Sequence, residues 1–278
     1  MSIPTSRPKG VIVCADDFAV HAPASLGIAL LAALGHISAT SAMVLSPRWP
    51  QDVALLRDFR GRIDVGLHLD WTSDFALAAG HGLPLGRAML KAVMGGFDPV
   101  AARVVIERQL DAFEAHWKAP PDYVDGHQHV QQFAGIREAL VQALVQRYGV
   151  RNTPKPYLRV SRPPAGAADL KSRIIAAMGA PAIEKIAAHA GLTRSSALLG
   201  AYNFDGSPAG YAQRMAGWLN AAPSGSIIMC HPAQAVEPGD AIGEARVREF
   251  AYLSSADFAK ALADAGVQLV RGEPGAIC

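Results

Sequence analysis

The sequence predicts an α/β fold in which parallel strands alternate with crossover helices. Short apolar runs rich in β-branched residues alternate with longer segments of helical periodicity almost from end to end. Of the 278 residues, 50% are hydrophobic and 18% are charged, which is enough apolar material for a large core. Eight strand-like runs favour a (β/α) barrel, although an open doubly wound sheet would give the same local pattern. We expect one domain over residues 1–278, because such barrels commonly use about 250 residues.

Runs of apolar residues predict the strands, in chain order. They cover residues 11–15, 41–45, 63–69, 123–130, 157–160, 197–202, 226–231 and 267–270. Between them, apolar residues recur at helical spacing, and Ile106, Leu110 and Phe113 form one such stripe. The helices predicted in this way cover residues 24–34, 99–117, 136–144, 167–178, 182–190, 208–219, 245–253 and 256–265.

Two segments lack clear periodicity, residues 72–97 and 161–167. We expect both to be loops over one face of the fold. Connections of this length often carry substrate contacts, although a plain surface excursion is an equal alternative.

The charge pattern excludes some partners and indicates a location. The formal net charge is only +2 and the basic residues are scattered singly, so no nucleic-acid partner is expected. The N-terminus is polar and no apolar run is long enough for a signal peptide or a membrane span. We therefore expect a cytoplasmic protein, and the sequence leaves a homo-oligomer open.

Three cysteines are too few for a disulfide framework. Cys14 and Cys230 lie in apolar runs and are expected to be small core residues, whereas Cys278 ends the chain. A thiol nucleophile at Cys230, beside His231, is the weaker alternative.

Two adjacent carboxylates follow the first predicted strand, in VIVCADDF. Asp16 and Asp17 repel each other, and neither can be buried cheaply without a partner. A cation bound by one of them would relieve the repulsion and leave the other free to act as a base.

Histidines and further acids lie at or near three other strand ends. In IDVGLHLDW the period of two places His68 on a face with Gly66 and other polar residues. The predicted strand in YVDGHQHVQQF aligns three polar residues on one face, Asp125, His127 and His129. In SIIMCHPA an apolar strand stops at His231.

A lone histidine on a strand is more often a hydrogen-bonded core residue than a ligand. Taken together, however, these groups could converge on a divalent cation and keep one position open for water. Mixed nitrogen and oxygen ligands do not decide between Zn²⁺, Mg²⁺ and other ions. The remaining histidines fall in loops or helices and look incidental, namely His21, His36, His81, His116 and His189.

Several common catalytic motifs are missing from the sequence. There is no HExxH helix, GxSxG elbow, GxxxxGK loop or GxGxxG turn, so zincin, α/β-hydrolase, nucleotide-hydrolase and dinucleotide-binding interpretations lose their usual support. The mid-chain position of His127 and His129 weakens an amidohydrolase interpretation as well.

The segments ADDF, VGLHL, VDGHQHV and MCHPA occur in this order and are followed by EFAYL. In this pattern the chain resembles, over nearly its whole length, the YdjC-like carbohydrate deacetylases, a group that includes chitooligosaccharide and hopanoid-associated deacetylases. The resemblance implies a distorted (β/α) barrel of the polysaccharide deacetylase type with seven or eight mainly parallel strands. It also implies that the N-acetyl group of an amino sugar is removed by hydrolysis with the help of a divalent metal ion.

The resemblance also implies a role for each matching residue. The metal ligands would be Asp17, His68 and His127. Asp16 would be the general base and His231 the general acid.

Three further residues would lie near the substrate or behind the metal ligands, namely His129, Asp125 and Trp71. Trp71 could stack on a sugar face, but its strand phase is opposite to that of the preceding histidine, which favours a core position.

The chain departs from the family pattern at two positions. Ala19 stands where the family usually has Gly, and Gln131 stands where a further His is common. The first change could alter the turn behind the aspartates, and the second bears on substrate identity. Two alternatives therefore stay open: a metal-dependent hydrolase of another bond, such as a phosphoester or a cyclic amide, and a non-catalytic sugar-binding relative.

Overall fold

The computed structural model of the protein describes residues 8–149 and 155–272. Its strands form one parallel sheet that curls into a half-barrel, in the order β5-β4-β3-β2-β1-β7-β6, with β8 also paired to β1. The strands are β1 (Lys9–Phe18), β2 (Ala39–Ala42), β3 (Asp64–Leu69), β4 (Tyr123–Gly126), β5 (Tyr157–Leu158), β6 (Leu198–Leu199), β7 (Ser226–Cys230) and β8 (Val267–Leu269). The predicted α/β barrel class is confirmed.

Helices connect the strands and cover the outer face of the sheet. They are α1 (Ala22–Leu34), α2 (Trp49–Asp52), α3 (Asp74–Ala78), α4 (Leu85–Val93), α5 (Pro99–Trp117), α6 (Ile136–Tyr148), α7 (Leu170–Ala177), α8 (Ala180–His189), α9 (Pro208–Ala221), α10 (Gly243–Leu253) and α11 (Ala256–Asp264). The stripe on α5 is buried as its spacing predicts, and Phe113 stacks on Trp49 with ring centroids 5.4 Å apart.

Alternation along the strands separates two apolar clusters. On β1, Val11, Val13 and Ala15 pack in the large cluster that also holds buried helix residues. Ile12 and Cys14 belong to the smaller cluster, which is built mostly from strand residues inside the half-barrel. The two described cysteines are buried in strands as expected, and Cys278 lies outside the described residues.

Two tyrosine rings occupy part of the half-barrel interior. A Cβ atom on Gly66 would lie 2.4 Å from Cζ of Tyr123, so only glycine leaves room for this ring. Tyr123 in turn stacks on Tyr157, with centroids 5.1 Å apart. The Tyr123 hydroxyl lies 2.7 Å from Ser41 Oγ, so this ring extends from the apolar interior to the polar side chains near the strand ends.

Two expectations about local structure are wrong. The fourth strand ends at Gly126, and a 3₁₀ turn over His127–Gln132 follows, with positive φ at Gln128 and His129. The reason is that β3 ends at Leu69, directly opposite Gly126, so there is no strand left to pair with. As a result, Asp125, His127 and His129 do not share a strand face.

The segment 72–97 is not a plain loop, because it contains α3 and α4. The hydroxyl of Ser73 caps α3 by accepting hydrogen bonds from two backbone N–H groups. In α4 the small residues Ala88 and Ala92 are buried. The segment 161–167 is irregular, as predicted.

Candidate active site

The carboxyl ends of the strands surround a cavity of about 750 Å³. Five of the candidate residues line it, namely Asp16, Asp17, His68, His127 and His231, and so does His129. This edge of the sheet is where parallel α/β folds place their sites.

A local irregularity in β1 separates the two adjacent aspartates. The pairing register between β1 and β2 shifts between Ala15 and Phe18, and Asp17 has a φ of 68°. Asp16 continues the inner face of β1, whereas the left-handed residue turns the next carboxylate toward other neighbours. Both are buried, with 2% and 1% of their surface exposed.

Asp17, His68 and His127 form a group that we call the Asp17 cluster. One ligand atom from each residue lies within 4.8 Å of the others. His127 Nδ1 is 3.1 Å and His68 Nε2 is 3.4 Å from the same atom, Asp17 Oδ1. The family resemblance implied these three residues as metal ligands, and the fold brings their ligand atoms together.

Asp125 orients His68 from behind. His68 Nδ1–H donates to Asp125 Oδ1 over 2.6 Å, which leaves Nε2 directed at Asp17. Burial alone would lower the pKa of His68, but the charge and hydrogen bond of Asp125 outweigh burial and raise it to about 10. Asp125 has no exposed surface and is not among the residues that line the cavity.

Arg246 holds the second oxygen of Asp17. Its Nη2 donates to Asp17 Oδ2 over 2.7 Å, and its Nε donates to Asp240 over 2.7 Å. Burial would raise the pKa of Asp17, but the Arg246 charge holds it well below its usual range. Asp240 also accepts from His21, which lines the cavity and caps α1. His21 is therefore not incidental, and sequence analysis singled out neither Arg246 nor Asp240.

The second group lies directly behind the first, and we call it the Asp16 cluster. It consists of Cys14, Asp16, Ser41, Tyr123, Asp125 and Arg159. Arg159 Nη1 lies 2.7 Å from Asp16 Oδ1 and 2.9 Å from Asp125 Oδ2. Burial would raise the pKa of Asp16, and Arg159 lowers it below its ordinary range instead. Arg159 has no exposed surface, and no motif in the sequence pointed to it.

His231 stands beside Asp16 at the exit of β7. Its Nε2 is 4.0 Å from Asp16 Oδ2, and the edge of the Phe204 ring packs against it at 5.1 Å between centroids. Burial lowers the pKa of His231 to about 4. Its backbone N–H donates to Glu249 Oε2 over 2.6 Å.

Glu249 belongs to the EFAYL segment, to which sequence analysis gave no role. It is fully buried on α10 and also accepts a hydrogen bond of 2.6 Å from Tyr202. Burial raises the pKa of Glu249 to about 7. It therefore ties the last helical motif of the chain to the backbone of His231.

Trp71 packs against Phe97 and His81 with only 2% of its surface exposed, and it is not among the residues that line the cavity. The side chain occupies the core position that its strand phase favours and cannot stack on a sugar bound in the cavity. His129 does line the cavity, with its Nδ1 3.0 Å from Ser161 Oγ.

Fold and site together define an α/β half-barrel with a carboxylate and imidazole cluster in the cavity at its strand ends. The chain belongs to the YdjC-like protein family, because the family model matches residues 10–264. The resemblance seen in the sequence is thereby confirmed.

Two relatives are named carbohydrate deacetylase. The chain is 29% identical over 167 residues to the one from Homo sapiens, which covers 55% of this chain and 51% of the relative. It is 29% identical over 168 residues to the one from Mus musculus, covering 56% of this chain and 52% of the relative. The match thus spans about half the length of these relatives.

A solved structure of a proposed cellobiose-phosphate cleavage protein from Enterococcus faecalis has the same fold. It superposes with a TM-score of 0.69 over 95% of this chain and 97% of the other, at 18% sequence identity. Within the described part of this chain, every helix is too short or too polar to cross a membrane.

Proposed function

We propose that the chain hydrolyses the N-acetyl group of an acetylated amino sugar and releases acetate, with a divalent metal ion held by the Asp17 cluster. One observation carries the proposal: the His68 and His127 nitrogens meet the same oxygen of Asp17 inside the cavity, with Asp16 and His231 beside them. The deacetylase relatives supply the reaction class.

The donor set fits a divalent ion. Two imidazoles and one carboxylate are ligands that zinc accepts, and they also admit other divalent ions. The ligands are already oriented, because Asp125 fixes the ring of His68 and Arg246 holds the second oxygen of Asp17. Three protein ligands would leave a coordination position open toward the cavity.

Amide hydrolysis needs an activated water, a polarised carbonyl and a protonated leaving amine. A divalent ion in the Asp17 cluster would lower the pKa of water and polarise the acetyl carbonyl. Asp16 is the proposed acceptor of the water's proton. Arg159 fixes one oxygen of Asp16 and leaves the other facing His231.

The low pKa of His231 bears on the origin of the proton that reaches the amine. With a pKa of about 4, His231 is neutral at pH 7 before a substrate binds. We propose that Asp16 passes on the proton it accepts, since its own pKa is lower still. Asp16 Oδ2 and His231 Nε2 are 4.0 Å apart. His231 then protonates the departing amine.

Acetate release from N-acetylglucosamine oligomers, with and without a chelator, tests the proposal. Removal of a proton-transfer group costs about 100- to 10,000-fold in rate, so we expect losses of this size in Asp16→Asn and His231→Ala, with metal retained. His68→Ala should lose the metal as well. His189→Ala, at the end of α8 and outside the cavity lining, is the matched control and should keep wild-type turnover.

Near-wild-type turnover of Asp16→Asn would remove the base from the mechanism. Wild-type protein that releases no acetate, or releases it equally well with chelator, would contradict the proposed function. Phosphate release from sugar phosphates in the same assay would favour the phosphoester alternative.

A further inference from the structure

A chain of three side chains leads from the interior to the cavity, and its hydrogen atoms can be placed by elimination. Gln131 has no exposed surface, and its Nε2 lies 3.1 Å from the backbone oxygen of Arg159. A carbonyl oxygen can only accept, so this atom of Gln131 must be the amide nitrogen. The orientation of the amide is thereby fixed.

The second hydrogen of this nitrogen goes to Ser161. Gln131 Nε2 lies 3.1 Å from Ser161 Oγ, so the hydroxyl oxygen accepts. Ser161 is 1% exposed, and its hydroxyl hydrogen therefore needs a partner within the protein. Among the described residues its other side-chain partner is His129 Nδ1, at 3.0 Å. Donation to this nitrogen is the arrangement that gives the Gln131 amide nitrogen, the Ser161 hydroxyl and His129 Nδ1 each a partner.

An imidazole nitrogen that accepts a hydrogen bond carries no proton. A neutral His129 must then carry its proton on Nε2. The ring lines the cavity, and the hydrogen bonds of the described residues assign no partner to Nε2. His129 therefore offers an N–H donor to whatever occupies the cavity.

We propose that Gln131 and Ser161 fix the tautomer of His129, and that His129 donates a hydrogen bond from Nε2 to an acceptor oxygen of the bound N-acetylated sugar. The second half of this proposal rests on the proposed function. It assigns a role to one of the two departures from the family pattern, because Gln131 can donate to two acceptors through one nitrogen, whereas a neutral histidine has a single N–H.

The tautomer can be measured without any turnover. We expect ¹⁵N spectra of histidine-labelled full chain at pH 8, above the ordinary imidazole pKa of about 6.5, to show His129 protonated at Nε2. His36 provides an internal reference of the opposite kind, because its Nδ1 lies 2.7 Å from the carbonyl oxygen of Leu253 and must carry the proton. A His129 signal of the His36 type would overturn the proposal.

Two variants test the relay. In Gln131→Glu a protonated carboxyl group donates its O–H to the backbone oxygen of Arg159, and the oxygen of this O–H accepts from Ser161. The Ser161 oxygen then accepts from His129, so the proton should move to Nδ1. In Ser161→Ala the relay is cut, and a mixture of tautomers is expected. An unchanged His129 tautomer in both variants would show that Gln131 and Ser161 do not control it.

Substrate contact is tested by titration and by kinetics. Addition of N-acetylglucosamine oligomers should shift the Nε2–H signal of His129. His129→Leu should lose about tenfold in kcat/KM, mainly through KM, because one hydrogen bond is lost, and His129→Gln should recover part of it with its own amide donor. An unshifted signal, or the same KM in both variants and wild type, would overturn the contact. Failure of the proposed function shows differently, as absent acetate release with the wild-type tautomer intact.

Discussion

The two aspartates at the end of β1 are both buried carboxylates that need a counter-charge, and different neighbours stabilise them. Asp16 points into the Asp16 cluster, where a buried guanidinium from Arg159 bonds two carboxylates at 2.7 and 2.9 Å. Asp17 points into the Asp17 cluster, where Arg246 bonds one oxygen and the other faces two imidazole nitrogens inside the cavity. Each cluster thus contains a guanidinium, but Arg159 bonds two carboxylates, whereas Arg246 leaves Asp17 Oδ1 to two imidazole nitrogens in the cavity.

This difference explains why two groups with metal-ligand spacing are not equivalent. Cys14, Asp16 and Asp125 also bring ligand atoms within 4.8 Å of one another. Arg159 bonds both carboxylates of this group, so a metal ion would have to displace a guanidinium, whereas Arg246 bonds only Oδ2 of Asp17 and not the Oδ1 atom that faces the imidazoles. Ligand spacing alone therefore does not define a metal site. The ligand atoms must also not be bonded already to a cation of the protein.

The largest effect is expected when the Arg159 guanidinium is removed from the Asp16 cluster. Arg159→Met leaves Asp16 buried without its guanidinium partner and leaves Asp125 with His68 as its cationic partner, and we expect a loss of about 3–5 kcal/mol in the free energy of unfolding. Urea denaturation followed by tryptophan fluorescence measures it. Lys260→Met is the control, because Lys260 forms an exposed pair with Asp264 on α11, and its curve should overlay that of the wild type. A loss for Arg159→Met as small as that of the control would show that the buried carboxylates of the Asp16 cluster do not depend on the Arg159 charge.

The comparison also shows what sequence could and could not predict. The candidate ligands were predictable because parallel strands end at one edge of the sheet. His68 lies beside Asp125 because β3 and β4 are neighbouring strands and these two residues are paired in register. Arg159 and Arg246 were not, because each is an isolated basic residue outside the motifs. Arg159 lies 143 positions from Asp16, and only the tertiary fold brings them together.

The prediction of local structure was wrong where tertiary contacts overrode the sequence pattern or where that pattern was weak. The predicted strand through His129 was stopped by the end of β3, a fact that the sequence of β4 does not contain. The helices α3 and α4 were missed because their buried face consists mainly of small alanines, which give a weak periodic signal.

The next largest effect should come from adding a divalent cation that binds the Asp17 cluster. With zinc as the probe ion at about 100 times its Kd, binding to the folded state adds about 2.7 kcal/mol to the free energy of unfolding. His127→Ala removes one ligand of the Asp17 cluster, and zinc should then no longer raise the midpoint of urea denaturation. The same zinc response in His127→Ala as in wild type would place the ion elsewhere.

A smaller effect is the pH dependence of zinc affinity, which the protonation of His68 controls. In the metal-free protein the pKa of His68 is raised to about 10, so a protonated His68 stabilises the fold fully below its ordinary pKa of about 6.5 and this contribution is lost as the pH rises through 10. Zinc needs the neutral ring and must displace this proton. Between these limits zinc affinity should rise about tenfold, or about 1.4 kcal/mol, for each pH unit.

Competition with a chromophoric chelator at pH 7, 8 and 9 measures this slope. Asp125→Asn removes the charge that raises the pKa of His68 and should flatten the slope. A flat wild-type profile over the same range would mean that His68 is already neutral in the metal-free protein.

The smallest effect concerns the turn that separates the two aspartates. Ala15 and Ala19 lie on either side of the pair and have no exposed surface, but only Ala19 has a left-handed backbone, with a φ of 71°. Substitution by glycine loses about 0.8 kcal/mol of methyl burial and about 0.5–1 kcal/mol of backbone entropy at either position. At Ala19 it also relieves a strain of about 1–2 kcal/mol. We therefore expect Ala15→Gly to lose about 1.5 kcal/mol in urea denaturation and Ala19→Gly to stay near zero. Equal losses would show that the left-handed backbone at Ala19 stores no strain that glycine relieves.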